Sequence, residues 1–516
     1  MKKCYLFGIG LPLFVSSNIA FGQDGNGHAG WHKIFNDSLQ GTRSDEALQY
    51  LEARQKSATE TVIVGLIDTG IDTTATDLRP ALWNNPKEIA DGKDNDQNGY
   101  VDDLHGWNFL GTKDGTFNMG NAGTEEYREF KRLYPKYKNL DPAQVQDKEE
   151  YAYYLKMRKK ANIDSYLKFV GYTGIKDDAY QYIDSVLAAM PDLQKDTLTI
   201  SGLMYIPIDE ARWNKACETL LVDLYQAPKG SLWNQLLEQH DNEFDLMKKR
   251  IYGIEHDQDK RLLMGDDMNN PEDRFYGNAT LTTENALHGT FNAGIIAGQG
   301  TGNPDAKGIF PDARIMAIRA LPNGDEYDKD IATAIRYAVD NGAKIINMSF
   351  GKYTSPQADM VNKAIGYAAE KDVLIIQAAG NDHLNLDSVT CFPTGKDATG
   401  KPFPNVIKVG ASDEDGICCP FSNYGKHEVD VFAPGKDIIS VCPGDQYATS
   451  QGTSVAAPVV TGIAAMLRAY FPRLKAAQVK EILIKSVRPM KTPGLSASGG
   501  IVDALEAVKL AKKYKK

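Results

Sequence analysis

Three side chains of complementary chemistry stand at the ends of apolar segments in this sequence. Asp68 follows the apolar run 62–67, His288 opens a segment of small residues, and Ser454 lies at a predicted helix start. Each has an ordinary explanation alone, because Asp favours turns, Ser caps helices and most histidines are satisfied polar groups. Together they supply a nucleophile, a base and a carboxylate that orients the base. The three residues therefore predict acyl transfer from a serine hydroxyl.

The segments around these residues resemble the three active-site signatures of the subtilisin family. They occur in the order Asp, His, Ser, for which subtilisin is the reference example. The resemblance covers 61–107 and 276–511, and it is closest to secreted bacterial members of the family. It implies a subtilisin-like three-layer α/β fold with a largely parallel central sheet. It also implies a serine endopeptidase that hydrolyses peptide bonds in proteins through an acyl-enzyme intermediate.

Two further segments resemble the family's substrate-binding elements. Residues 347–351 resemble the strand edge that holds the substrate backbone, and 378–381 resemble the oxyanion and primary-pocket segment. A tetrahedral oxyanion needs hydrogen-bond donors already in place, and the Asn381 amide and the Ser454 backbone N–H are the candidates. The residues expected to contact substrate are Ser349, Phe350, Gly351, Ala378, Ala379 and Gly380.

The acidic segment 94–103 predicts a structural calcium site. Side-chain oxygens recur at alternate positions and Gly99 stands sixth, which matches the first half of a calcium loop. The twelfth position is His105 rather than Glu, so the segment is not a complete EF-hand, and a polar turn is the alternative. No organic cofactor is expected. The expected metal ligands are Asp94, Asp96, Asn98, Tyr100, Asp102 and Asp103.

Six apolar runs rich in β-branched residues must position these side chains. Such runs are typical of strands buried on both faces of a parallel sheet, and helical patterns at 331–339 and 360–368 alternate with them. Ligands of such sheets bind outside the carboxyl ends of the strands, where Asp68 and Asn381 fall. The predicted strands are 62–67, 314–318, 344–348, 373–378, 406–409 and 429–432.

The domain organisation departs from a compact member of the family, because more than two hundred residues separate Asp68 from His288. Residues 112–273 lack strand–helix alternation and are rich in Lys, Glu, Asp, Tyr and Gln, so we expect an all-helical insertion there. The catalytic domain then consists of 61–111 and 274–516, preceded by an arm, 23–60, with a helix at 44–54. Within the insertion the helical stretches are 144–160, 177–189 and 232–260.

The N-terminus and the overall composition predict an exported protein that acts on polypeptides. Residues 1–22 have the charged start, apolar run and small residues of a signal peptide, which indicates a periplasmic or extracellular location. No later run is long and apolar enough to suggest a transmembrane span. The net charge of −10, from 58 Lys and Arg against 68 Asp and Glu, argues against a nucleic-acid partner.

Five cysteines follow the predicted signal peptide, and export would permit them to form disulfides. Four of the five lie close together in the sequence, so one or two bridges are expected among them. None lies in a motif that lowers a thiol pKa, which argues against a catalytic cysteine. The five are Cys217, Cys391, Cys418, Cys419 and Cys442.

Two other functions are compatible with parts of the sequence. The Asp-Thr-Gly tripeptide at Asp68 fits an aspartic protease, but that mechanism needs two carboxylates and the chain has no second such motif. A catalytically silent subtilase-like protein, with the insertion as a binding module, is the non-enzymatic alternative. All the residues needed for catalysis are present, which favours the serine endopeptidase.

Overall fold

The apolar runs predicted as strands form one largely parallel sheet in the computed structural model, which describes residues 29–515. The sheet has nine strands in the order β12-β13-β9-β8-β7-β6-β1-β4-β2. All pairs are parallel except β12 with β13. Its strands are β1 (Ile63–Asp68), β2 (Gly106–Asn108), β4 (Arg314–Arg319), β6 (Ile345–Met348), β7 (Leu374–Ala378), β8 (Val406–Ser412), β9 (Val431–Pro434), β12 (Arg488–Pro489) and β13 (Gly500–Ile501).

Two small two-stranded sheets accompany the large one. The antiparallel hairpin β10 (Ile438–Cys442) and β11 (Gln446–Ser450) was not predicted, although the Pro443-Gly444 pair between its strands is a turn signal. The second pair, β3 (Asn121–Gly123) and β5 (Asn323–Gly324), is parallel.

Helices cover both faces of the large sheet, because its central strands are buried on both sides and need apolar cover there. One face packs in a core with α1 (Ser44–Glu52), α9 (Leu287–Ala297), α12 (Thr453–Tyr470), α13 (Ala476–Lys485) and α14 (Ala504–Ala511). The other face packs with α10 (Asp328–Asp340) and α11 (Ala358–Glu370). The predicted three-layer α/β fold is thus confirmed.

The chain divides into two compact units, of which the second is Glu126–Asp259. This unit spans fewer residues than the predicted insertion 112–273. On the N-terminal side, β3 pairs with β5 of the first unit, and on the C-terminal side Arg261 binds the buried Asp330. The helices of this region are α2 (Glu125–Tyr137), α3 (Lys148–Lys160), α4 (Ile163–Ala188), α5 (Ile200–Leu203), α6 (Ala211–Thr219), α7 (Leu221–Gln226) and α8 (Trp233–His256).

The N-terminal arm is part of the first unit's core. Trp31 is 1% exposed and donates its indole N–H to the carbonyl of Lys436 at 3.1 Å. Helix α1 packs against α14, and the backbone N–H of Ala504 donates to the Thr42 carbonyl at 2.8 Å. The predicted signal peptide lies outside the described residues.

Helix α12 has the length and apolar composition of a membrane span, contrary to the expectation that no segment approaches one. All of its residues are buried inside the protein. Burial among the other layers accounts for its apolar sequence, as in the core helix of a large domain.

Candidate active site

Asp68 and His288 meet at the carboxyl end of the central strand β1. The His288 Nδ1 and Asp68 Oδ1 atoms are 2.7 Å apart, and the Thr69 backbone N–H donates to the same oxygen at 2.7 Å. The side chain of Asp68 is 1% exposed and that of His288 is 12% exposed. A carboxylate at Nδ1 keeps the proton on that nitrogen, so Nε2 is left as the basic atom.

Gly289 permits this close approach of α9 to β1. An ideal Cβ at position 289 would lie 2.0 Å from the Gly70 carbonyl oxygen and 3.2 Å from the Asp68 Cβ. Any side chain at position 289 would therefore push the helix start, and His288 with it, away from the strand end.

The pKa of His288 is raised above its ordinary value by the balance of two opposing effects. Burial lowers the pKa of the imidazole, but the charge and the hydrogen bond of Asp68 raise it by more. The site therefore stabilises an imidazolium, which is the form that His288 takes after it accepts a proton.

Ser454 is held at the end of the next strand in the sheet. Strand β6 pairs directly with β1, with Ile67 opposite Met348. Ser349 follows Met348 and donates its hydroxyl proton to the Ser454 carbonyl at 2.8 Å. Because neighbouring strands lie about 4.8 Å apart, the ends that hold His288 and Ser454 are adjacent.

Within residues 29–515 the Ser454 hydroxyl forms no hydrogen bond with His288. Such catalytic hydrogen bonds are often long in structures without substrate and tighten when substrate binds. Ser454 is 8% exposed, while its neighbours in the first turn of α12 are buried more deeply. Ser454 is thus the most exposed residue in the first turn of α12.

Asn381 and Ser454 converge around Gly452. An ideal Cβ on Gly452 would lie 3.0 Å from Ser454 Oγ and 3.4 Å from Asn381 Nδ2, so both polar atoms border one small space. Gly452 has φ 151° and ψ 162°, a conformation that is essentially restricted to glycine. The residue thus keeps open the space between the hydroxyl and the amide.

Thr453 fixes the orientation of the Asn381 amide, and its role was not predicted from the sequence. The Thr453 backbone N–H and hydroxyl both donate to Asn381 Oδ1, at 2.8 and 2.9 Å. The Asn381 NH₂ group is thereby directed away from Thr453 and remains a donor for a ligand. The neighbouring Gly380 N–H donates to the Thr453 hydroxyl at 3.0 Å, which completes the network.

The residues expected to contact substrate lie at the carboxyl ends of β6 and β7, where Ala378 is the last residue of β7. Ser349 is buried, and its hydroxyl binds the Ser454 carbonyl rather than facing solvent. Phe350, Ala378 and Ala379 are buried, and the Ala379 carbonyl accepts from Asn423 Nδ2 at 2.8 Å. Gly351 and Gly380 are the partly exposed members of the set.

The acidic loop brings two of the expected ligands, Asp94 and Asp96, close to Glu88, which was not predicted. Oxygens of Glu88, Asp94 and Asp96 lie within 4.8 Å of one another. Glu88 is 5% exposed, and its Oε2 atom has no hydrogen-bond partner. An unpartnered buried carboxylate oxygen among two others fits a hard cation such as calcium.

The other expected metal ligands make contacts inside the protein. The Asp102 carboxylate accepts from the Gly92 N–H at 3.1 Å. Asp103 is buried and accepts from Asn85, Asn98 and Tyr337, and burial raises its pKa to about 6. The Tyr100 hydroxyl donates to the Arg274 carbonyl at 3.1 Å. Glu88 lies outside the alternating pattern, so the loop template did not identify it.

The expectation of disulfides is wrong for the cysteines that the structure describes, since all five are free thiols. Burial is the largest cause that raises the pKa of Cys391, Cys418 and Cys442 to about 11. Cys391 belongs to a different apolar cluster from Cys419 and Cys442. The three buried cysteines, Cys391, Cys419 and Cys442, act as small apolar side chains in these clusters.

Comparison with known proteins finds a family match over most of the chain. A family model described as "Subtilase family" matches residues 59–502. The "Thermophilic serine proteinase" of Bacillus sp. (strain AK1) is 42% identical over 181 residues, or 35% of this chain and 42% of that proteinase. Thermitase of Thermoactinomyces vulgaris is 33% identical over 224 residues, or 43% of this chain and 74% of thermitase.

A solved structure, of the prenylagaramide maturation protease, is 32% identical, with coverage of 44% of this chain and 82% of that chain and a TM-score of 0.38. The chain aligns with less than half the length of the thermophilic proteinase.

Proposed function

This chain belongs to the subtilase family, and from that premise we propose that it is a serine endopeptidase with Ser454 as nucleophile, His288 as base and Asp68 as the residue that orients the base. The observation that carries the proposal is the 2.7 Å hydrogen bond between His288 and Asp68. This hydrogen bond lies at the carboxyl end of β1. The neighbouring strand β6 leads to Ser349, which binds the Ser454 carbonyl. Protein or peptide chains are the proposed substrates.

The proposed reaction begins when His288 Nε2 takes the proton of the Ser454 hydroxyl as Oγ attacks the scissile carbonyl carbon. The resulting oxyanion accepts hydrogen bonds from the Asn381 amide and the Ser454 N–H. His288 then gives its proton to the leaving amine as the C–N bond breaks, which produces an acyl-enzyme. Water, activated by the same imidazole, hydrolyses the ester and restores the serine.

The aspartic-protease alternative has less support from the contacts of Asp68. That mechanism needs a second carboxylate that shares a proton with the first. The side chains that hydrogen bond to the Asp68 carboxylate belong to His288 and Asn292.

Active-site labelling tests the serine mechanism directly. We expect a fluorophosphonate probe to label the wild-type protein and not Ser454→Ala, and peptidase turnover to fall roughly a millionfold in the variant. Ser486→Ala is a matched control. Ser486 is a buried serine that follows α13 and should not react with the probe, so this variant should be labelled like the wild-type protein. An unlabelled wild-type protein would favour the catalytically silent alternative, whereas labelling of Ser454→Ala would assign the nucleophile elsewhere.

We propose that the acidic loop holds a structural calcium ion through Glu88, Asp94 and Asp96. The support is the buried, unpartnered Glu88 Oε2 atom beside the other two carboxylates. Calcium would bring these negative charges together without repulsion and stabilise the loop, with no step in peptide hydrolysis.

A calcium titration tests this site. At a free calcium concentration of about 100 times Kd, the bound ion should add about 2.7 kcal/mol to the free energy of unfolding. Glu88→Gln should abolish the stabilisation, while Asp102→Asn should retain it, because Asp102 binds backbone N–H groups instead. If both variants lost the calcium-dependent stabilisation equally, Asp102 would be a ligand, as the sequence predicted. If calcium did not change the melting temperature of the wild-type protein, the site would be excluded.

We also propose that the protein is exported to the periplasm or the medium. The support is the signal-peptide pattern of residues 1–22. Expression in a bacterial host, followed by fractionation and N-terminal sequencing, should find a mature chain that begins near Gln23. A cytoplasmic product that retains Met1 would contradict export.

A further inference from the structure

Asn292 contacts the proposed catalytic pair from within the same helix as His288. Its Nδ2 atom lies 2.9 Å from Asp68 Oδ2 and 3.2 Å from His288 Nδ1. The two residues are four positions apart on α9, so their side chains project from the same face of the helix. One helix therefore directs an imidazole at one oxygen of Asp68 and an amide at the other.

The contact satisfies an oxygen that has no other source of hydrogen bonds. Asp68 and Asn292 are both 0% exposed, so water cannot replace the amide. In the described part of the chain, Asp68 Oδ1 accepts from Thr69 and His288, while Oδ2 accepts from Asn292 alone. A buried carboxylate oxygen without a donor is costly, and hydrogen bonds to charged groups are the stronger kind.

The amide orientation of Asn292 follows from the same contact. With Nδ2 toward Asp68, the Oδ1 atom of Asn292 is buried without a partner. The reverse orientation would instead direct that oxygen at the Asp68 carboxylate, which is worse. The carbonyl is thus left unsatisfied while the amide donates to Asp68, and it is the location of this contact beside the proposed catalytic pair, rather than the unsatisfied carbonyl itself, that points to function.

We infer that Asn292 is a positioning residue for the catalytic pair, which fixes the plane of the Asp68 carboxylate and draws negative charge away from His288. This inference rests on the proposed serine mechanism. A carboxylate held at both oxygens cannot rotate, so His288 is kept in one orientation. Charge shared with an amide attracts a proton on the imidazole less strongly, so Asn292 sets the pH at which His288 becomes a free base.

The other charged groups on neighbouring elements do not replace this effect. Strand β4 contributes Arg319, whose guanidinium donates to the Thr69 carbonyl, Asn108 Oδ1 and the Met119 carbonyl. Hairpin strand β10 contributes the thiol of Cys442, and α12 has Arg468 in its last turn, far along the helix from Ser454. Asp68 on β1 is the charged group that contacts the imidazole.

Two substitutions at Asn292 test the inference on the full chain. Asn292→Leu keeps the branched shape and removes the donor. We expect kcat to fall about 10- to 100-fold with KM unchanged, the scale of one charge-assisted hydrogen bond. The acidic limb of the kcat/KM profile should move to higher pH. Asn292→Asp places a second carboxyl group beside the buried Asp68 carboxylate, and two such groups share one proton rather than both ionising. The protonated carboxyl should therefore replace the lost donor and return kcat and the limb toward their wild-type values. The downfield Nδ1 proton resonance of His288 should shift in an NMR titration in the same order, more in Asn292→Leu than in Asn292→Asp.

Asn405 provides a matched control at the amino-terminal end of the strands, opposite the end where Asp68 lies. It is also a buried asparagine whose Nδ2 donates to a carbonyl, that of Val373 at 2.8 Å, and whose Oδ1 has no partner. Asn405→Leu should lower the melting temperature without changing kcat or the acidic limb. An unchanged limb and kcat in Asn292→Leu, with normal fluorophosphonate labelling, would overturn the positioning role and leave the serine mechanism intact. Absence of labelling in the wild-type protein would instead overturn both.

Discussion

The first compact unit (the catalytic unit, after its proposed activity) and the second (the helical unit, Glu126–Asp259) differ in how completely they bury their apolar residues. The central strands β6, β7 and β8 of the catalytic unit are buried at every position. The helical unit has two small apolar clusters, yet Tyr225 is 90% exposed and Leu246 is 71% exposed. Regions with fewer buried contacts open at lower free energy. The catalytic unit should therefore be more rigid than the helical unit. Substitutions in the catalytic unit should change turnover, and substitutions in the helical unit should change local stability.

After Ser454→Ala, the largest expected effect on turnover comes from Asp68→Asn in the catalytic unit. We expect kcat to fall about 10⁴-fold, because the amide favours the wrong tautomer of His288. The pKa of His288 is raised above 6.5 in the wild-type protein because the contribution of Asp68 exceeds the lowering effect of burial. Removal of the carboxylate leaves burial unopposed, so the acidic limb of the kcat/KM profile should move to lower pH.

The same pKa shift predicts the pH dependence of stability. Because the folded pKa of His288 is raised, its contribution is fully present below the unfolded pKa, about 6.5, and is lost as pH rises through the folded value. Asp68→Asn should therefore lose more stability near pH 5 than near pH 9. Equal losses at both pH values in a denaturant titration would contradict the coupling between the two residues.

A smaller loss of turnover is expected for Asn381→Ala. Removal of one oxyanion donor costs roughly 100- to 1,000-fold in kcat. The melting temperature should change little, since Asn381 lies in an exposed position and binds Thr453 through its carbonyl alone. Steady-state kinetics measure the effect, and a change in KM with constant kcat would show that Asn381 binds substrate and transition state equally.

Trp233→Phe is the corresponding change in the helical unit. Trp233 is 0% exposed, and its indole N–H donates to Asp184 at 2.9 Å. Loss of this hydrogen bond and some packing should cost about 1–3 kcal/mol. Hydrogen exchange should show faster exchange in α4 and α8 only, with kcat on a short peptide unchanged. A matching rise in exchange across β1 and β6 would mean that the two units unfold together.

The smallest expected effect is that of Lys215→Ala on the surface of the helical unit. Lys215 and Glu218 form a 2.9 Å ion pair, with side chains 73% and 68% exposed. Such pairs contribute roughly 0–1 kcal/mol because water and salt screen them. The midpoint of denaturant unfolding should not change by more than the experimental error. A change as large as that of Trp233→Phe would show that surface charge stabilises this unit.

Six of the nine strands of the catalytic unit's large sheet could be predicted because buried parallel strands are nearly continuous β-branched runs. Strands β2, β12 and β13 are only two or three residues long and were not predicted. The predicted run 344–348 corresponds to β6, and 314–318 corresponds to β4, each within one residue at either end. Helix boundaries in the other unit were less predictable. Helix α4 begins at Ile163, well before the predicted 177, because Gly171 and Gly174 weaken the local pattern and tertiary packing outweighs it.

In the candidate site too, local sequence patterns predicted some residues, whereas tertiary contacts that the sequence did not show determined others. The pairing of Asp68 with His288 was expected from the family resemblance, since both lie in signature segments. The contacts of Thr453 with Asn381, and of Glu88 with Asp94, join residues outside any one motif. Asn292 stands one helical turn after His288, so helical spacing was the signal that could have found it.

The packing of helix α1, in the N-terminal arm, against the C-terminal helix α14 has a consequence for biosynthesis. Strand β1 pairs only with β4 and β6, and α1 packs against α14 at the other end of the catalytic unit. The strand that ends at Asp68 must therefore wait until β6 has been synthesised, 348 − 68 = 280 residues later, which takes roughly 14–56 s at 5–20 residues per second. The contacts within Glu126–Asp259 are local by comparison, so the helical unit can form first. During synthesis the candidate site is assembled after the helical unit.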